Sequence, residues 1–148
     1  MTDWLTSVRV TPRPSCEEAL VLLKDAGLPT ADLTPAHMEH FFSLGFDDAA
    51  IGLVGLELYG QDALLRSLVV VSQWRKSGLG STLIAHAESH ARAHGATSLY
   101  LLTTDAHAYF SRYGFSAIQR KLAPKSIRTT QEFAEICPTS STLMVKQL

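Results

Sequence analysis

The sequence predicts an α/β fold on a mixed sheet, with antiparallel strands first and a strand–helix–strand unit in the middle. Residues 41–46, 50–59 and 63–71 are apolar segments of strand length separated by short turns, which is typical of an antiparallel meander. A helical pattern over residues 78–94 then leads into an apolar strand-length run at 98–103. Strands joined by such a helix usually form parallel, buried sheet.

The elements of the first half follow from local signals. Residues 7–10 form a short predicted strand that the proline cluster at 11–14 ends. Ser15 then caps a helix that Gly27 stops. Thr34-Pro35 predicts a further helix start, because proline is favoured at the first helical position.

Similar signals order the second half. Asp105 caps a predicted helix that runs to Arg112 and is stopped by Gly114, and residues 115–121 follow as a strand. No linker, repeat or low-complexity tract divides the chain. We therefore expect one domain over residues 1–148.

Composition and charge narrow the classes of function. The 148 residues carry 13 Lys and Arg against 14 Asp and Glu, so the chain lacks the basic excess of nucleic-acid-binding proteins. Hydrophobic residues make up 46%, which excludes a disordered chain. Charged residues are only 18%, below the roughly 25% of average soluble domains. We therefore expect apolar surface, including Trp4, Trp74 and residues 143–145, to be covered in a homodimer.

The sequence also favours a cytoplasmic protein without a membrane partner. Its longest uncharged apolar stretches have about eight residues, far fewer than the ~20 that a membrane-spanning helix needs. No basic segment leads into an apolar one at the N-terminus, so we expect no secretory signal. Cys16 and Cys137 are too few for a disulfide framework, as expected for free thiols in the cytosol.

The segment at residues 68–81 is the most informative about function, because a predicted buried strand runs into a turn and then directly into the start of a helix there. The first N–H groups of a helix have no internal partners and attract anions. Gly78 and Gly80 allow a phosphate to approach the backbone closely, while Arg75 and Lys76 add positive charge. The turn therefore predicts a pyrophosphate site, with an ordinary tight turn as the alternative.

Two other phosphate-binding patterns do not fit this turn. A P-loop ends in Gly-Lys-Ser/Thr, whereas Lys76-Ser77 precedes the glycines here. The dinucleotide fingerprint needs a third glycine where this chain has Leu83, and residues 98–100 offer no acid for a ribose. The pattern that remains is Arg-x-x-Gly-x-Gly, which begins at Arg75.

Two motifs in register carry a family resemblance: Leu68-x-Val70 leading into Arg75-x-x-Gly78-x-Gly80, and Tyr109-Phe110-x-Arg112-x-Gly114-Phe115. In these motifs the chain resembles the GNAT superfamily of acyl-coenzyme A N-acyltransferases. The resemblance implies a mostly antiparallel central sheet of six or seven strands flanked by helices on both faces, with acetyl-coenzyme A as co-substrate. It assigns cofactor contacts to Leu68, Val69, Val70, Arg75, Lys76, Ser77, Gly78, Leu79, Gly80, Ser81, Thr103 and Phe110.

Segments of the C-terminal third carry a finer resemblance. Residues 101–104, 109–110, 124–133 and 137–138 are similar to the arsenic-resistance N-acetyltransferases. That subgroup is associated with detoxifying arsinothricin, an arsenic analogue of glutamate. The first two segments are also similar to N-acetylglutamate synthase. The resemblance implies an amino acid, or a toxic arsinothricin- or phosphinothricin-like analogue, as acetyl acceptor, in arsenic or antibiotic resistance.

The candidate catalytic residues depart from the family pattern. The tyrosine that protonates the leaving thiolate in many members corresponds to Phe110, with Tyr109 one residue earlier, so Tyr109 or solvent donates that proton. The glutamate base of several members corresponds to Leu64, and Glu57 on the preceding strand is the nearest substitute. A packing aromatic at 109 and a solvated carboxylate at 57 are the alternatives.

Arg66 and Arg128 are the candidates for holding the acceptor. The predicted strand at 63–71 alternates faces, so Arg66 lies on the side of Leu68 and Val70, among apolar neighbours where an arginine needs a ligand or an acidic partner. A guanidinium binds a carboxylate, arsinate or phosphinate through two parallel hydrogen bonds. We expect Arg66 to clamp the acceptor's anion, with an ion pair to Glu57 as the alternative.

These features together predict an N-acetyltransferase that moves an acetyl group from acetyl-coenzyme A to the primary amine of a small molecule by direct attack. The alternatives are a non-catalytic acetyl-coenzyme A-binding regulatory domain and a protein lysine acetyltransferase.

We expect no metal, because the recurrence of His86, His90 and His94 is typical of a solvated helix face and Glu88 points about 200° away from His86.

Overall fold

The protein forms a seven-stranded mixed sheet in the computed structural model, which describes residues 8–46, 49–75, 77–131, 133–134 and 141–148. The strands are β1 (Arg9–Pro12), β2 (Phe41–Phe46), β3 (Ala49–Tyr59), β4 (Asp62–Val70), β5 (Ser98–Thr103), β6 (Ser116–Ile118) and β7 (Thr142–Gln147). The α-helices are α1 (Cys16–Asp25), α2 (Leu79–Ala93), α3 (His107–Ser111) and α4 (Lys125–Arg128). Short 3-10 helices cover Pro35–His40, Ser72–Trp74 and Arg120–Leu122.

The strand order is β1-β2-β3-β4-β5-β7-β6. β4 and β5 pair in parallel, from Asp62 opposite Ser98 to Leu64 opposite Tyr100. The β1–β2, β2–β3, β5–β7 and β6–β7 pairs are antiparallel. The predicted mixed, mostly antiparallel sheet is therefore confirmed, with β4–α2–β5 as its strand–helix–strand unit.

The chain divides into two compact units. Unit 1 comprises Met1–Gly55 and Ser67–Ala87, and unit 2 comprises Leu56–Arg66 and Glu88–Leu148. The single domain over residues 1–148 stays a prediction.

Helices cover both faces of the strands in unit 1. The apolar side of α1 packs with Phe41 of β2 and Leu53 of β3. Gly52 faces away from α1, since neighbouring strand residues point to opposite faces. A Cβ at Gly52 would lie 3.1 Å from the side chain of Leu83 in α2. This is the flanking arrangement that the family resemblance implied.

The core of unit 2 lies under α4. Ile127 and Ala123 pack with Leu64 of β4 and Leu143 of β7, and each is at most 4% exposed. Met144 is also fully buried. The prediction that residues 143–145 offer apolar surface for a dimer is therefore wrong for Leu143 and Met144, because β7 is an inner strand between β5 and β6. The homodimer itself stays a prediction.

Three element boundaries differ from the sequence prediction. β1 continues through Pro12 instead of ending at the proline cluster, because an edge strand tolerates a residue without an N–H. β6 ends at Ile118, since Arg120–Leu122 turn into a 3-10 helix. The helix predicted after Thr34 is likewise a 3-10 helix.

Among the described residues, no helix is both long and apolar enough to cross a bilayer.

Candidate active site

The turn after β4 is held by hydrogen bonds to β3 and to the end of β4. Val71 donates its N–H to the carbonyl of Ile51 at 2.8 Å. Arg75 folds back so that its Nε donates to the carbonyl of Val70 at 3.0 Å. A guanidinium has five N–H donors, so this bond orients Arg75 and leaves donors for a ligand. Lys76, the other predicted cation of the turn, lies outside the described residues.

The start of α2 presents a positive end. Gly78 precedes the helix with φ +86°, a left-handed conformation that favours glycine. The N–H of Thr82 donates to the carbonyl of Gly78 at 3.3 Å. The N–H groups of Leu79, Gly80 and Ser81 precede that bond and have no acceptor within the helix. No acid lies in the first turn, so the helix dipole is left to attract an anion.

Ser67 interrupts the regular alternation of β4 with φ +60°. Arg66 pairs with Glu57 of β3, and Val69, three residues further on, packs with Leu53 on that same face of β3. An unbroken strand would put residues 66 and 69 on opposite faces. The prediction that Arg66 shares a side with residues 68 and 70 is therefore wrong, because it assumed unbroken alternation.

Arg66 and Glu57 form the ion pair that the sequence left as an alternative. Arg66 Nη1 donates to Glu57 Oε2 at 2.7 Å, with the arginine side chain fully buried and the glutamate side chain 11% exposed. The hydroxyl of Tyr59 donates a short hydrogen bond to the other carboxylate oxygen, Oε1. The carboxylate is thus held at both oxygens and remains partly exposed. Tyr59 was not predicted as a site residue, although residues two apart on a strand point to the same face.

A second ion pair of equal length lies elsewhere in unit 2. Lys146 Nζ of β7 donates to Glu88 Oε2 of α2 at 2.7 Å, and Arg92 lies 3.8 Å from the other oxygen. The ammonium also lies 5.9 Å from the ring centroid of Phe115. This pair joins a helix to a strand within the core packing, and it offers a matched comparison for Glu57.

Tyr109 lies on α3 among other rings. Its ring centroid is 5.1 Å from that of Tyr113, and the Arg112 guanidinium lies 5.6 Å from its centroid. Burial raises the pKa of Tyr109 to about 12, and Tyr113 adds to this effect while Arg112 opposes it. Tyr109 is therefore a neutral hydrogen-bond donor at every ordinary pH.

Phe110 and Thr103, two predicted cofactor contacts, have structural partners. Phe110 is 8% exposed, and its ring meets that of Phe115 edge-on at 5.7 Å. Thr103 Oγ1 accepts the N–H of Ala106 at 3.0 Å and so fixes the turn that leads into α3. These contacts hold α3 in place, and the cofactor roles of both residues stay predictions.

Residues 124–133, one of the segments that carry the finer resemblance, make mostly structural contacts. Ile127 is fully buried, and the hydroxyl of Thr130 donates to its carbonyl at 2.8 Å while accepting the N–H of Phe133 at 3.2 Å. Arg128, the second predicted acceptor contact, ends α4 with an exposed side chain. Cys137 lies outside the described residues.

The histidines of α2 and of the turn after it differ in exposure. His86 and His94 are exposed, as a solvated face requires, whereas His90 is half-buried with its ring centroid 4.3 Å from that of His94. The expected absence of a metal stays a prediction.

A family model of the acetyltransferase (GNAT) family matches residues 1–115, well over half of the chain. The chain belongs to the GNAT acetyltransferase family. An uncharacterized N-acetyltransferase of Chlorobaculum tepidum is 28% identical to this GNAT chain over 92 residues, which are 62% of this chain and 59% of that protein.

Solved structures share the GNAT fold of this chain. The N-acetylglutamate synthase of Neisseria gonorrhoeae, complexed with coenzyme A and N-acetyl-glutamate, has a TM-score of 0.82 at 21% identity, covering 95% of this chain and 35% of that one. A Mycobacterium tuberculosis protein in complex with coenzyme A and NLQ has a TM-score of 0.73 at 17% identity, covering 95% and 98%. Naa50 of Arabidopsis thaliana, in complex with the bisubstrate analogue CoA-Ac-MVNAL, has a TM-score of 0.68 at 16% identity, covering 96% and 99%. The chain spans less than two thirds of the Chlorobaculum protein and of the synthase.

Proposed function

We propose that the protein transfers an acetyl group from acetyl-coenzyme A to the primary amine of a small acceptor of the amino-acid class. The observation that carries this proposal is the start of α2 in a GNAT chain, where a left-handed glycine and unpaired helix N–H groups follow the turn after β4. The N–H groups of residues 79–81 bind the pyrophosphate, and Arg75 adds a positive charge. The backbone of residues 68–70 holds the pantetheine arm.

Acetyl-coenzyme A supplies a thioester carbonyl that an amine can attack. The acceptor's ammonium must first lose a proton, because it has no lone pair. The nitrogen then bonds to the carbonyl carbon and gives up a second proton, the C–S bond breaks, and the thiolate leaves with the electron pair and takes up a proton. A backbone N–H near Val70 stabilises the charge that develops on the carbonyl oxygen. The products are an amide, a thiol and one released proton.

Glu57 accepts the ammonium proton in this mechanism, directly or through a water molecule. Its carboxylate is held by Arg66 and Tyr59 and remains partly exposed, as a group that must meet an acceptor requires. A proton acceptor that is held in a fixed orientation raises the rate of proton transfer, because the reacting groups start from a productive geometry.

Arg66 positions Glu57 in this proposal. Its side chain is fully buried, and one of its amino groups is already bound to the carboxylate of Glu57. These two facts give less support to the role expected from the sequence, in which Arg66 binds the anion of the acceptor. Arg66→Lys separates the two roles. A clamp predicts a KM for the acceptor raised more than tenfold with little change in kcat, whereas a positioning role predicts a fall in kcat. The exposed Arg128 remains the candidate for the acceptor's anionic end.

Tyr109 stabilises the leaving thiolate by a hydrogen bond. Its pKa of about 12 lies well above the ~8.5 of an ordinary thiol, so full proton transfer from the phenol is unfavourable. We infer that solvent supplies the proton in the end. Tyr109→Phe should therefore lower kcat only several-fold.

The acceptor we propose is an α-amino acid or an arsinothricin- or phosphinothricin-like analogue, with a role in resistance. The support is the resemblance of residues 101–104 and 109–110, together with the fold shared with a synthase solved with N-acetyl-glutamate. A cytoplasmic location and a homodimer are part of the same proposal.

A turnover screen tests this function. Thiol release from acetyl-coenzyme A is measured with the amino acids, phosphinothricin, arsinothricin, a simple alkyl amine and lysine-bearing peptides. We expect turnover with amino acids or their analogues. Tight acetyl-coenzyme A binding without turnover would favour a regulatory domain, and turnover of peptides alone would favour protein acetylation.

Paired variants test the role of Glu57 in the same assay. Glu57→Gln should lower kcat at least 100-fold while leaving the KM for acetyl-coenzyme A unchanged. Glu88→Gln breaks the matched ion pair to Lys146 and should lower the Tm without such a loss in kcat. Equal losses of kcat in both variants would contradict a proton-acceptor role.

A further inference from the structure

Tyr59 is the last residue of β3 and lies two residues after Glu57. Residues two apart on a strand point to the same face, with their Cα atoms about 6.6 Å apart. The long side chain of Tyr59 spans that distance, and its hydroxyl donates a hydrogen bond to Glu57 Oε1. Gly60 follows with φ +69°, a left-handed conformation that favours glycine and turns the chain towards β4. The contact between Tyr59 and Glu57 is therefore built into the hairpin of β3 and β4.

Tyr59 and Arg66 together restrain the carboxylate of Glu57 more than either residue does alone. The torsion about the bond that carries a glutamate carboxylate is broad, so a single hydrogen bond still lets the group turn. Arg66 Nη1 donates to Oε2 at 2.7 Å from β4, whereas Tyr59 donates to Oε1 from β3. Two donors that lie on different strands and bind different oxygens fix the plane of the carboxylate.

The two donors differ in how much of the fold depends on them. The Arg66 side chain is fully buried, so its replacement also leaves buried polar groups without their partner. Tyr59 is 38% exposed, and Phe differs from Tyr only by the hydroxyl. Removal of that hydroxyl therefore changes the restraint on Glu57 with little effect on the core.

We propose that Tyr59 is a positioning residue for acetyl transfer, which acts through Glu57 by fixing the orientation of its carboxylate. This inference rests on the proposed role of Glu57 as acceptor of the ammonium proton. A carboxylate that turns spends part of its time out of reach of the ammonium, so loss of the Tyr59 hydrogen bond lowers kcat. Binding of acetyl-coenzyme A depends on the start of α2 and stays unchanged.

A double-mutant cycle in kcat tests this role, with the wild type, Tyr59→Phe, Glu57→Gln and the double variant. Thiol release from acetyl-coenzyme A is measured with the amino acid or analogue that turns over fastest in the turnover screen. Tyr59→Phe should lower kcat about tenfold in the wild-type background. In the Glu57→Gln background the same substitution should lower kcat less than about twofold, because no carboxylate is left to orient. The KM for acetyl-coenzyme A should stay the same in all four proteins.

Ser126→Ala is the matched control within unit 2. Ser126 Oγ donates to Asp62 Oδ2 at 3.2 Å, so this variant also removes a hydroxyl that is bonded to a carboxylate. We expect it to keep the kcat of the wild type, even where its Tm falls as far as that of Tyr59→Phe. A tenfold loss of kcat in the control as well would show that kcat follows stability, and it would contradict the positioning role.

The four kcat values also separate the role of Tyr59 from that of Glu57. An unchanged kcat in Tyr59→Phe, or the same loss with and without the Glu57 carboxylate, would overturn the positioning role. A loss of kcat in Glu57→Gln would still support Glu57 as proton acceptor in that case. A wild-type kcat in Glu57→Gln would overturn the proton-acceptor role and the positioning role with it.

Discussion

The starts of helices α1 and α2 are built in opposite ways. At α1, the Ser15 hydroxyl accepts the N–H of Glu18 at 3.1 Å, and Glu17 and Glu18 lie in the first turn. At α2, no acid lies in the first turn, and the hydroxyl of Ser77 donates back to the carbonyl of Trp74. The first arrangement satisfies the helix end from within the chain, whereas the second leaves its positive end for an external anion.

This difference teaches that helix stability and anion binding compete for the same N–H groups. A cap or an acid at α2 would stabilise the helix and occupy or neutralise the site. The start of α1 therefore serves as the internal control for the start of α2, and three substitutions test the contrast.

Gly80→Val should have the largest effect. A branched side chain at the second residue of α2 occupies the space through which a pyrophosphate reaches the backbone N–H groups. We expect the Kd for acetyl-coenzyme A, measured by calorimetry, to rise more than tenfold, about 1.4 kcal/mol or more. The Tm should change little, because valine is not worse than glycine within a helix. An unchanged Kd would mean that the turn is only structural.

Ser15→Ala should show the reverse behaviour. Loss of an N-cap serine costs about 1 kcal/mol of unfolding free energy. Urea denaturation should report that loss, while calorimetry should give the wild-type affinity for acetyl-coenzyme A. A weakened affinity of similar size would show that the two helix starts are coupled, and the comparison would fail.

Ser81→Asp should give the smallest and most informative effect. An acid in the first turn of α2 interacts favourably with the helix dipole and should raise the unfolding free energy by about 0.3–1 kcal/mol. The same charge repels a pyrophosphate and should weaken acetyl-coenzyme A several-fold, more at low salt than at high salt. A gain in both stability and affinity would contradict a shared site.

The turn and the start of α2 could be predicted from the sequence, because the residues that determine them are neighbours in the chain. Gly78 and Gly80 lie within one turn of the chain, and the conformation they permit depends on no distant residue. The mixed sheet was predictable for the same reason, since 41–46 and 98–103 carry their strand character in their own composition.

Long-range contacts were less predictable. The sequence left Glu57 either as a solvated carboxylate or as the partner of Arg66. In the structure it forms the ion pair with Arg66 and also accepts a hydrogen bond from Tyr59. No local pattern in the sequence predicts the left-handed Ser67, which interrupts β4 directly after Arg66. The burial of Leu143 depends on β7 entering the sheet between β5 and β6, which is a property of topology.

A double-mutant cycle on the ligand tests the central claim most directly. Calorimetry compares acetyl-coenzyme A with S-acetylpantetheine, which lacks the pyrophosphate and nucleotide, in the wild-type protein and in Gly80→Val. We predict that the wild type binds acetyl-coenzyme A at least tenfold more tightly than S-acetylpantetheine, and that this ratio falls below threefold in the variant. A ratio that stays the same in both proteins would contradict the assignment of the pyrophosphate to the start of α2.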